Sequence, residues 1–145
     1  MESNAFWSYG SKFKVGNGAT PEVFSDVAEV KDITPPQYER EVHDVSHHGS
    51  DGGFKEYIAG WRDGGEVELL LNWLPTDGTH DDKTGLLADY HDNARHNYKI
   101  VLPDNLATIA FSGVITAYQP DMETAKGAEL SVTIKVSGKP TISYT

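Results

Sequence analysis

The sequence predicts a mainly β fold of two packed antiparallel sheets, a β-sandwich or half-barrel, with one flanking α-helix and long loop and arm extensions. Three successive segments, NYKIVLPD, ATIAFSGVITAYQP and AELSVTIKVSGKP, are typical of strands. In the third, four apolar residues alternate with four polar ones: Leu130, Val132, Ile134 and Val136 with Ser131, Thr133, Lys135 and Ser137. Because side chains alternate across a strand, one face covers a core and the other is polar. Sequential antiparallel strands favour packed sheets or an open barrel.

Length and composition indicate one soluble domain over residues 1–145. A domain of this size buries roughly 68–70% of the surface that its unfolded chain exposes. The chain has no cysteine, which excludes disulfides and thiolate metal sites. No stretch approaches the ~20 apolar residues of a membrane span, and the amino terminus lacks the pattern of a signal peptide.

The charge balance argues against nucleic-acid binding. Twelve basic residues against twenty-two acidic ones give a formal net charge of −10, whereas nucleic-acid binding depends on neutralised phosphates. An acidic surface also keeps a protein soluble. It would suit a surface that DNA must pass without adhering.

The amino-terminal part predicts an arm followed by a hairpin. Residues 1–21 mix aromatic side chains with glycine and proline and contain one short strand pattern, KFKV. Residues 22–33 are β-rich, Pro35 and Pro36 interrupt them, and residues 38–47 resume the pattern. We expect a long hairpin with a negative, water-facing side, because its strands carry many acids, among them Glu29, Glu39, Glu41 and Asp44.

A long inter-strand loop is predicted over residues 48–65, which contain six glycines. Within it, the spacing of Phe54, Tyr57, Ile58 and Trp61 predicts one face of a short helix. Loops this long are usually functional or disordered, and four large apolar residues favour docking, either on the same domain or on a neighbouring molecule. The segment EVELLLNWL that follows predicts a strand buried on nearly both faces, with Trp73 in the core.

One helix is predicted from about Thr79 to Arg95. Thr79 and Asp82 form a capping-box pattern. The packed stripe would consist of Leu86, Leu87 and Tyr90.

No motif for catalysis, cofactor binding or metal binding is present, so the sequence does not predict an enzyme. His43, His47 and His48 match no zinc spacing, and Asp77–Gly85 lacks the ligand pattern of a calcium loop. There is no GxSxG elbow and no phosphate loop. Among the tryptophans, Trp7 and Trp61 are left as candidates for ligand contacts.

Four segments in order carry a family resemblance: VKDITPP (30–36), NYKIVLPDN (97–105), FSGVIT (111–116) and IKVSGKP (134–140). With these segments, the chain resembles the tail tube proteins of long, non-contractile phage tails, the lambda-like group in particular. The resemblance covers residues from about Glu22 to Ile142. It does not extend to the arm or the glycine-rich loop, and we do not expect the carboxy-terminal immunoglobulin-like domain that some relatives have.

The resemblance implies a structural protein with the tail-tube fold, whose hexameric rings stack into a hollow tube for genome passage. Its implied partners are further copies of itself, a tape-measure or ruler protein, and tail tip and terminator proteins. DNA would pass without specific binding, and no membrane, cofactor or metal is implied. The expected location is the virion tail, assembled in the host bacterial cytoplasm.

Two sets of site residues are predicted on this basis. Acids placed within strands would line the lumen: Glu29, Glu39, Glu41 and Asp44. Apolar residues of the arm and loop would form ring-stacking or subunit interfaces: Phe6, Trp7, Tyr9, Phe54, Tyr57, Ile58 and Trp61. Three alternatives stay open, namely a monomeric β-sandwich ligand-binding module, a metal-dependent hydrolase using the three histidines, and an inner tube protein of a contractile tail or type VI secretion-like machine.

Overall fold

The structure is a computed structural model that describes residues 2–144; Met1, the first residue of the predicted arm, and Thr145 lie outside them. The described residues contain nine strands and one α-helix. In chain order these are β1 (Lys12–Gly16), β2 (Phe24–Asp26), β3 (Val30–Thr34), β4 (Glu39–Asp44), β5 (Tyr57–Asp63), β6 (Glu66–Asn72), α1 (Leu86–His91), β7 (His96–Val101), β8 (Ala107–Asp121) and β9 (Glu129–Tyr144). Two short 3-10 helices lie at Asp51–Gly53 and Pro103–Asn105.

The strands form two antiparallel sheets, as predicted. Seven strands make one sheet in the order β2-β1-β7-β8-β9-β6-β3, and β4 and β5 make a separate two-stranded sheet. The large sheet curls, since β1 contacts β3 near the opposite end of the strand order. The predicted mainly β fold with one helix is therefore confirmed.

The core lies inside the curl of the large sheet. At the β1–β7–β8 end it contains the rings of Phe13, Tyr98 and Phe111. The centroid of the Tyr98 ring lies 5.6 Å from the centroid of each of the other two rings. At the β9–β6 end it contains aliphatic side chains: Val67, Leu69, Leu71, Leu130, Val132, Ile134 and Val136. Both groups belong to one cluster, so the outer faces of the two ends point away from each other. The alternation predicted for β9 is confirmed.

Strand β6 is buried on one face, which corrects the prediction of burial on nearly both. Val67, Leu69 and Leu71 are buried, whereas Glu66 and Glu68 are exposed, because β6 lies between β9 and the edge strand β3 with its outer face uncovered. Trp73 packs against the core, as predicted.

The predicted hairpin between residues 22–33 and 38–47 is wrong. Strand β3 pairs with β6, and β4 pairs with β5. The reason is burial: β3 places Val30 and Ile33 against the core and so joins the large sheet, whereas every residue of β4 is exposed. Adjacency in sequence suggested a pairing that the core does not support.

The prediction of a long loop over residues 48–65 is wrong for residues 57–63, and the short helix predicted within it does not form. Residues Tyr57–Asp63 are β5, and Trp61, Tyr57 and Ile58 lie on this strand. A helical spacing of four apolar residues is weak evidence in a short segment, because the same residue types favour strands once a partner is available.

The predicted helix is much shorter than expected, since α1 spans Leu86–His91 only. The Asp81 carboxylate accepts hydrogen bonds from the backbone N–H groups of Lys83, Thr84 and Gly85 and thereby stabilises turns before the helix. The predicted capping box does not form; Thr79 instead donates to Asp77. Of the predicted stripe, Leu86 is buried but Tyr90 is exposed.

A buried histidine anchors the long turn before α1. The backbone N–H of Leu74 donates to His80 Nδ1 at 3.1 Å, so Nε2 carries the proton and donates to the Ala28 carbonyl at 2.9 Å. The hydroxyl of Tyr118 donates to the His80 carbonyl and accepts from the indole N–H of Trp73. These bonds connect the turn to the β2–β3 turn and to β8.

Candidate functional site

A group of exposed apolar side chains lies on the two-stranded sheet of β4 and β5 with its connecting tip, residues 39–63, called here the hairpin. Every residue of β4 is exposed, and in β5 only Gly60 is partly covered. Two-stranded sheets are marginally stable in water unless they pack against something. Residues 39–63 contribute no side chain to the core cluster of the large sheet.

The hairpin carries apolar and acidic side chains on both faces. Residues directly opposite in an antiparallel pair share a face, and β4 pairs Val42 with Ala59 and Asp44 with Tyr57. The opposite face holds Glu41, His43 and Ile58. An extra residue in β5 between Ala59 and Arg62 makes a bulge, which changes the alternation toward Trp61.

The predicted lumen residues are only partly brought together. Glu39 and Glu41 alternate onto one face of β4, whereas Asp44 lies on the other face. The hydrogen bond from the Ser46 side chain, together with the Ser46 backbone N–H, lowers the pKa of Asp44. Glu29 lies apart from the hairpin, in the β2–β3 turn with a positive φ of 52°, where Asn72 Nδ2 donates to its carboxylate at 3.2 Å. Its predicted placement within a strand is therefore wrong.

The hairpin tip, residues 45–56, is held by hydrogen bonds among its polar groups. Ser50 Oγ accepts from the His47 backbone N–H and donates to the Glu56 carboxylate. The Glu56 backbone N–H donates to Ser46 Oγ at 2.7 Å. The Phe54 backbone N–H donates to the Asp51 carbonyl at 3.1 Å, whereas its side chain makes no polar contact and is 78% exposed.

A groove of about 330 Å³ lies where the hairpin leaves the large sheet. Its apolar walls are Tyr38, Trp61, Val136 and Pro140, and its charged lining residues are Arg62, Lys139 and Asp63. We call it the hairpin-base groove. Trp61 is 82% exposed even here, so the groove leaves most of the indole open.

A local distortion of β9 builds one wall of this groove. Between the pairs Ala110–Thr141 and Ser112–Ser137, residues 138–140 of β9 stand opposite Phe111 alone. Gly138 has a φ of 84°, a conformation that side chains other than glycine rarely adopt. The bulge directs Lys139 and Pro140 toward the base of the hairpin.

The arm lies at a different place from the hairpin. Trp7 and Tyr9 stack on each other with their ring centroids 4.8 Å apart, and both side chains, like that of Phe6, are exposed. A cleft of about 600 Å³ separates residues 7–12 from residues 30–33 of β3. The predicted interface set is therefore divided between the hairpin and the β3 side of the large sheet.

The residues with potential for other chemistry do not form a site. His47 interacts with Glu56 and Ser50, and His43 lies 3.8 Å from Glu41. Among residues 2–144, no three histidine, aspartate or glutamate side chains are grouped so that they could hold a metal ion. The helix within this range is too short to cross a membrane.

Sequence reasoning missed several exposed apolar side chains, notably Val42 in the hairpin, Tyr38 just before it and Met122 in the β8–β9 turn. The sequence contained a signal that Val42 is exposed, because Val42 is the only apolar residue of the segment EREVHD and so has no apolar neighbours with which to form a buried face. Met122 offered one as well, because a large apolar residue stands between two acids in a turn.

Comparison with known proteins gives one family and several related folds. The family model described as lambda phage tail tube protein matches residues 7–143. No curated protein sequence matches the chain.

Several solved structures share the fold. A chain from the tail of an empty gene transfer agent particle, computed with C6 symmetry, is 17% identical, with a TM-score of 0.74 over 97% of this chain and 99% of that chain. A chain from the sheath-tube complex of the PVC extracellular contractile injection system is 11% identical, with a TM-score of 0.71 over 98% and 93%. One from the anti-feeding prophage baseplate is also 11% identical, with a TM-score of 0.67 over 97% of both chains.

The family match spans nearly the whole chain, and the shared folds agree with it. The chain therefore belongs to the lambda phage tail tube protein family, and it is a structural protein of phage-like tails rather than an enzyme.

Proposed function

We propose that this chain forms hexameric rings that stack into a hollow tube for genome passage, and that the hairpin makes the contact between successive rings. The observation that carries the proposal is the hairpin itself, an exposed two-stranded sheet with apolar side chains on both faces. Because such a sheet is stable only when it packs against another element, we propose that it packs against a second copy of the chain. The C6 symmetry of the gene transfer agent tail, a related fold, supports rings of six.

The apolar residues of the hairpin supply the proposed stacking contact. Phe54, Tyr57, Ile58 and Trp61 are all exposed and lie within one projecting element. The arm, with Phe6, Trp7 and Tyr9, would add a second contact beside β3. Contiguous exposed apolar surface of this kind marks interaction sites in soluble proteins.

The lumen in this proposal is acidic. Glu39 and Glu41 on one face of β4, Asp44 on the other, and Glu29 in the β2–β3 turn are the acids proposed to line it. Together with the formal charge of −10, they would repel the DNA backbone. A basic lining would instead bind phosphates through counterion release and retard the DNA.

The remaining partners follow from the same proposal. A tube needs a tail tip on which to start, a tape-measure or ruler protein to set its length and a terminator to end it. We place assembly in the cytoplasm of the host bacterium and the finished tube in the virion tail. A related fold occurs in the sheath/tube terminator assembly of the PVC extracellular contractile injection system.

Negative-stain electron microscopy of the concentrated protein tests this function. Rings or tubes of uniform width are expected from the wild type. The double variant Phe54→Ala/Trp61→Ala should remain folded by circular dichroism and lose the tubes. Tyr90→Ala, which truncates an exposed aromatic side chain on α1, is the matched control and should keep them.

Two results would contradict the proposal. Tubes of normal length from the double variant would remove the hairpin from the stacking contact. A wild-type protein that stays monomeric at all concentrations, even with purified tail-tip complex added as an initiator, would favour a ligand-binding module instead.

A further inference from the structure

We propose that Met122, in the β8–β9 turn, packs into the hairpin-base groove of the next copy along the tube. This inference rests on the proposed function, because it assumes that copies stack head to tail. It identifies the side chain that binds in the groove. It also gives a role to a turn that belongs neither to the predicted lumen residues nor to the predicted interface residues.

The chemistry of the groove defines what can occupy it. Its walls offer an indole ring, a phenol ring and two aliphatic side chains, so an apolar side chain of moderate size suits it. Arg62 and Lys139 lie on its rim, and Arg40 stands directly opposite Arg62 on the neighbouring strand. Asp63 is the acid that lines the groove, and its carboxylate is already paired with Lys135 at 3.2 Å. The groove therefore favours an apolar side chain flanked by free carboxylates.

Met122 meets this description. Its side chain is 73% exposed, and its neighbours in sequence are Asp121 and Glu123. Among the exposed large apolar side chains of residues 2–144, only Met122 has an acid on both sides. Methionine adapts to irregular pockets, and its sulfur packs favourably against aromatic rings such as that of Trp61.

Ion pairs hold the turn in shape without neutralising it. Lys126 Nζ lies 3.1 Å from the Asp121 carboxylate and 2.7 Å from that of Glu129. The carboxylate of Glu123 lies farther from the same ammonium group, at 4.0 Å, and the Glu123 side chain stays exposed. At least one carboxylate beside Met122 is thus available to a cation from another molecule.

The turn and the groove lie at opposite ends of one layer of the fold. Strand β9 begins at Glu129, beside the turn, and reaches the groove at Val136, seven residues or about 23 Å further on. The two features cannot meet within one chain. They can meet between copies related by translation along the strand direction, and such a head-to-tail contact repeats without closing.

The position of the hairpin base agrees with this arrangement. Strand β5 runs from the tip to the groove, and after Gly64 and Gly65 the chain continues along β6 toward the turn end. The base of the hairpin therefore lies at the end of β6 away from its own Met122. A copy that places its turn in the groove would also meet the hairpin, so one stacking step would cover both surfaces.

Cysteine cross-linking tests the contact directly, because the chain has no native cysteine. In the variant Met122→Cys/Tyr38→Cys, the cysteine at position 122 replaces the side chain proposed to enter the groove, and the cysteine at position 38 replaces a residue of the groove wall. Mild oxidation of assembled tubes should give a ladder of multimers on a non-reducing gel. Each single variant should give at most dimers, and the control Met122→Cys/Tyr90→Cys should give no ladder.

Charge reversal provides an independent readout. The variant Lys139→Glu should raise the critical concentration for tube formation by about tenfold or more. Adding Glu123→Lys should restore it, whereas Glu2→Lys, at an exposed acid in the arm, should not.

The outcomes separate this inference from the function beneath it. Tubes that form but give neither a ladder nor a charge-reversal rescue would overturn the Met122 contact and leave the tube function intact. Failure of the wild-type protein to form tubes, even with an initiator, would overturn both.

Discussion

The ammonium of Lys31 lies 2.7 Å from the carboxylate of Glu129, which connects the edge strand β3 to the first residue of β9. A second cation, Lys126, lies 2.7 Å from the other oxygen of the same carboxylate. Glu129 is only 7% exposed. Hydrogen bonds from Lys126 and then Lys31 lower the pKa of Glu129 to about 2.

This ion pair makes the stability of the fold sensitive to acid. Because the pKa of Glu129 is lower in the folded chain than its ordinary value of 4.5, the carboxylate stabilises the fold above about pH 4.5. That contribution should decline as the pH falls from about 4.5 toward about 2 and be absent below. Urea unfolding of the wild type across this range measures it.

The matched variant is Glu129→Gln, which keeps the shape of the side chain and removes its charge. We expect it to be less stable than the wild type at pH 6 and to approach wild-type stability near pH 2. A difference that stays constant between pH 6 and pH 2 would show that the ion pair does not cause the acid sensitivity.

Replacement of His80 should destabilise the fold strongly. In His80→Ala, the Leu74 N–H and the Ala28 carbonyl, both at partly buried positions, lose the fully buried imidazole that pairs with them. An unsatisfied buried group costs about 1–3 kcal/mol and partial access to water reduces this cost, so we expect a loss of about 2 kcal/mol. Chemical denaturation gives the value, and His48→Ala, at an exposed position, should change stability by less than about 0.5 kcal/mol.

The hydroxyl of Tyr98 should contribute measurably to the docking of α1. It donates to the Asp89 carboxylate at 3.1 Å, and burial raises the pKa of Tyr98, so the hydroxyl stays protonated as a donor at neutral pH. Tyr98→Phe removes this bond and should cost about 1 kcal/mol. Equal stability of variant and wild type in urea would show that water replaces the hydroxyl at Asp89.

Charge reversal on the hairpin should slow genome delivery if its acids face the lumen. Glu39 and Glu41 share one face of β4, so Glu39→Lys/Glu41→Lys should leave tubes intact and reduce delivery about tenfold or more, because lysines bind phosphates. The comparison is Asp44→Lys, which changes the opposite face. Glu29→Lys tests the separate β2–β3 turn.

The two hairpin variants give a readout of orientation as well. Slower ejection from Asp44→Lys alone would assign the lumen to the other face of the hairpin. Unchanged delivery from all three variants, with normal tubes, would remove these acids from the lumen.

The sequence by itself determined the strands whose burial alternates. In β9 the residues from Leu130 to Val136 alternate strictly, and the structure buries the predicted face. The ordered segments from residue 30 to residue 140 likewise indicated the family, which the match over residues 7–143 shows. Both are local properties, because a side-chain pattern or a short motif can be recognised without knowledge of its partners.

Pairing and orientation were decided only by the tertiary structure. Residues 57–63 carry an apolar spacing compatible with a helix, and they become β5 because β4 pairs with them. The hairpin buries nothing in the core, so its sequence lacks the alternation that identified β9. The separation of Glu41 from Asp44, and of Met122 from the hairpin-base groove, depends on strand register and on contacts between distant residues. A one-dimensional pattern does not contain these relationships, because they arise when distant strands pair around a shared core.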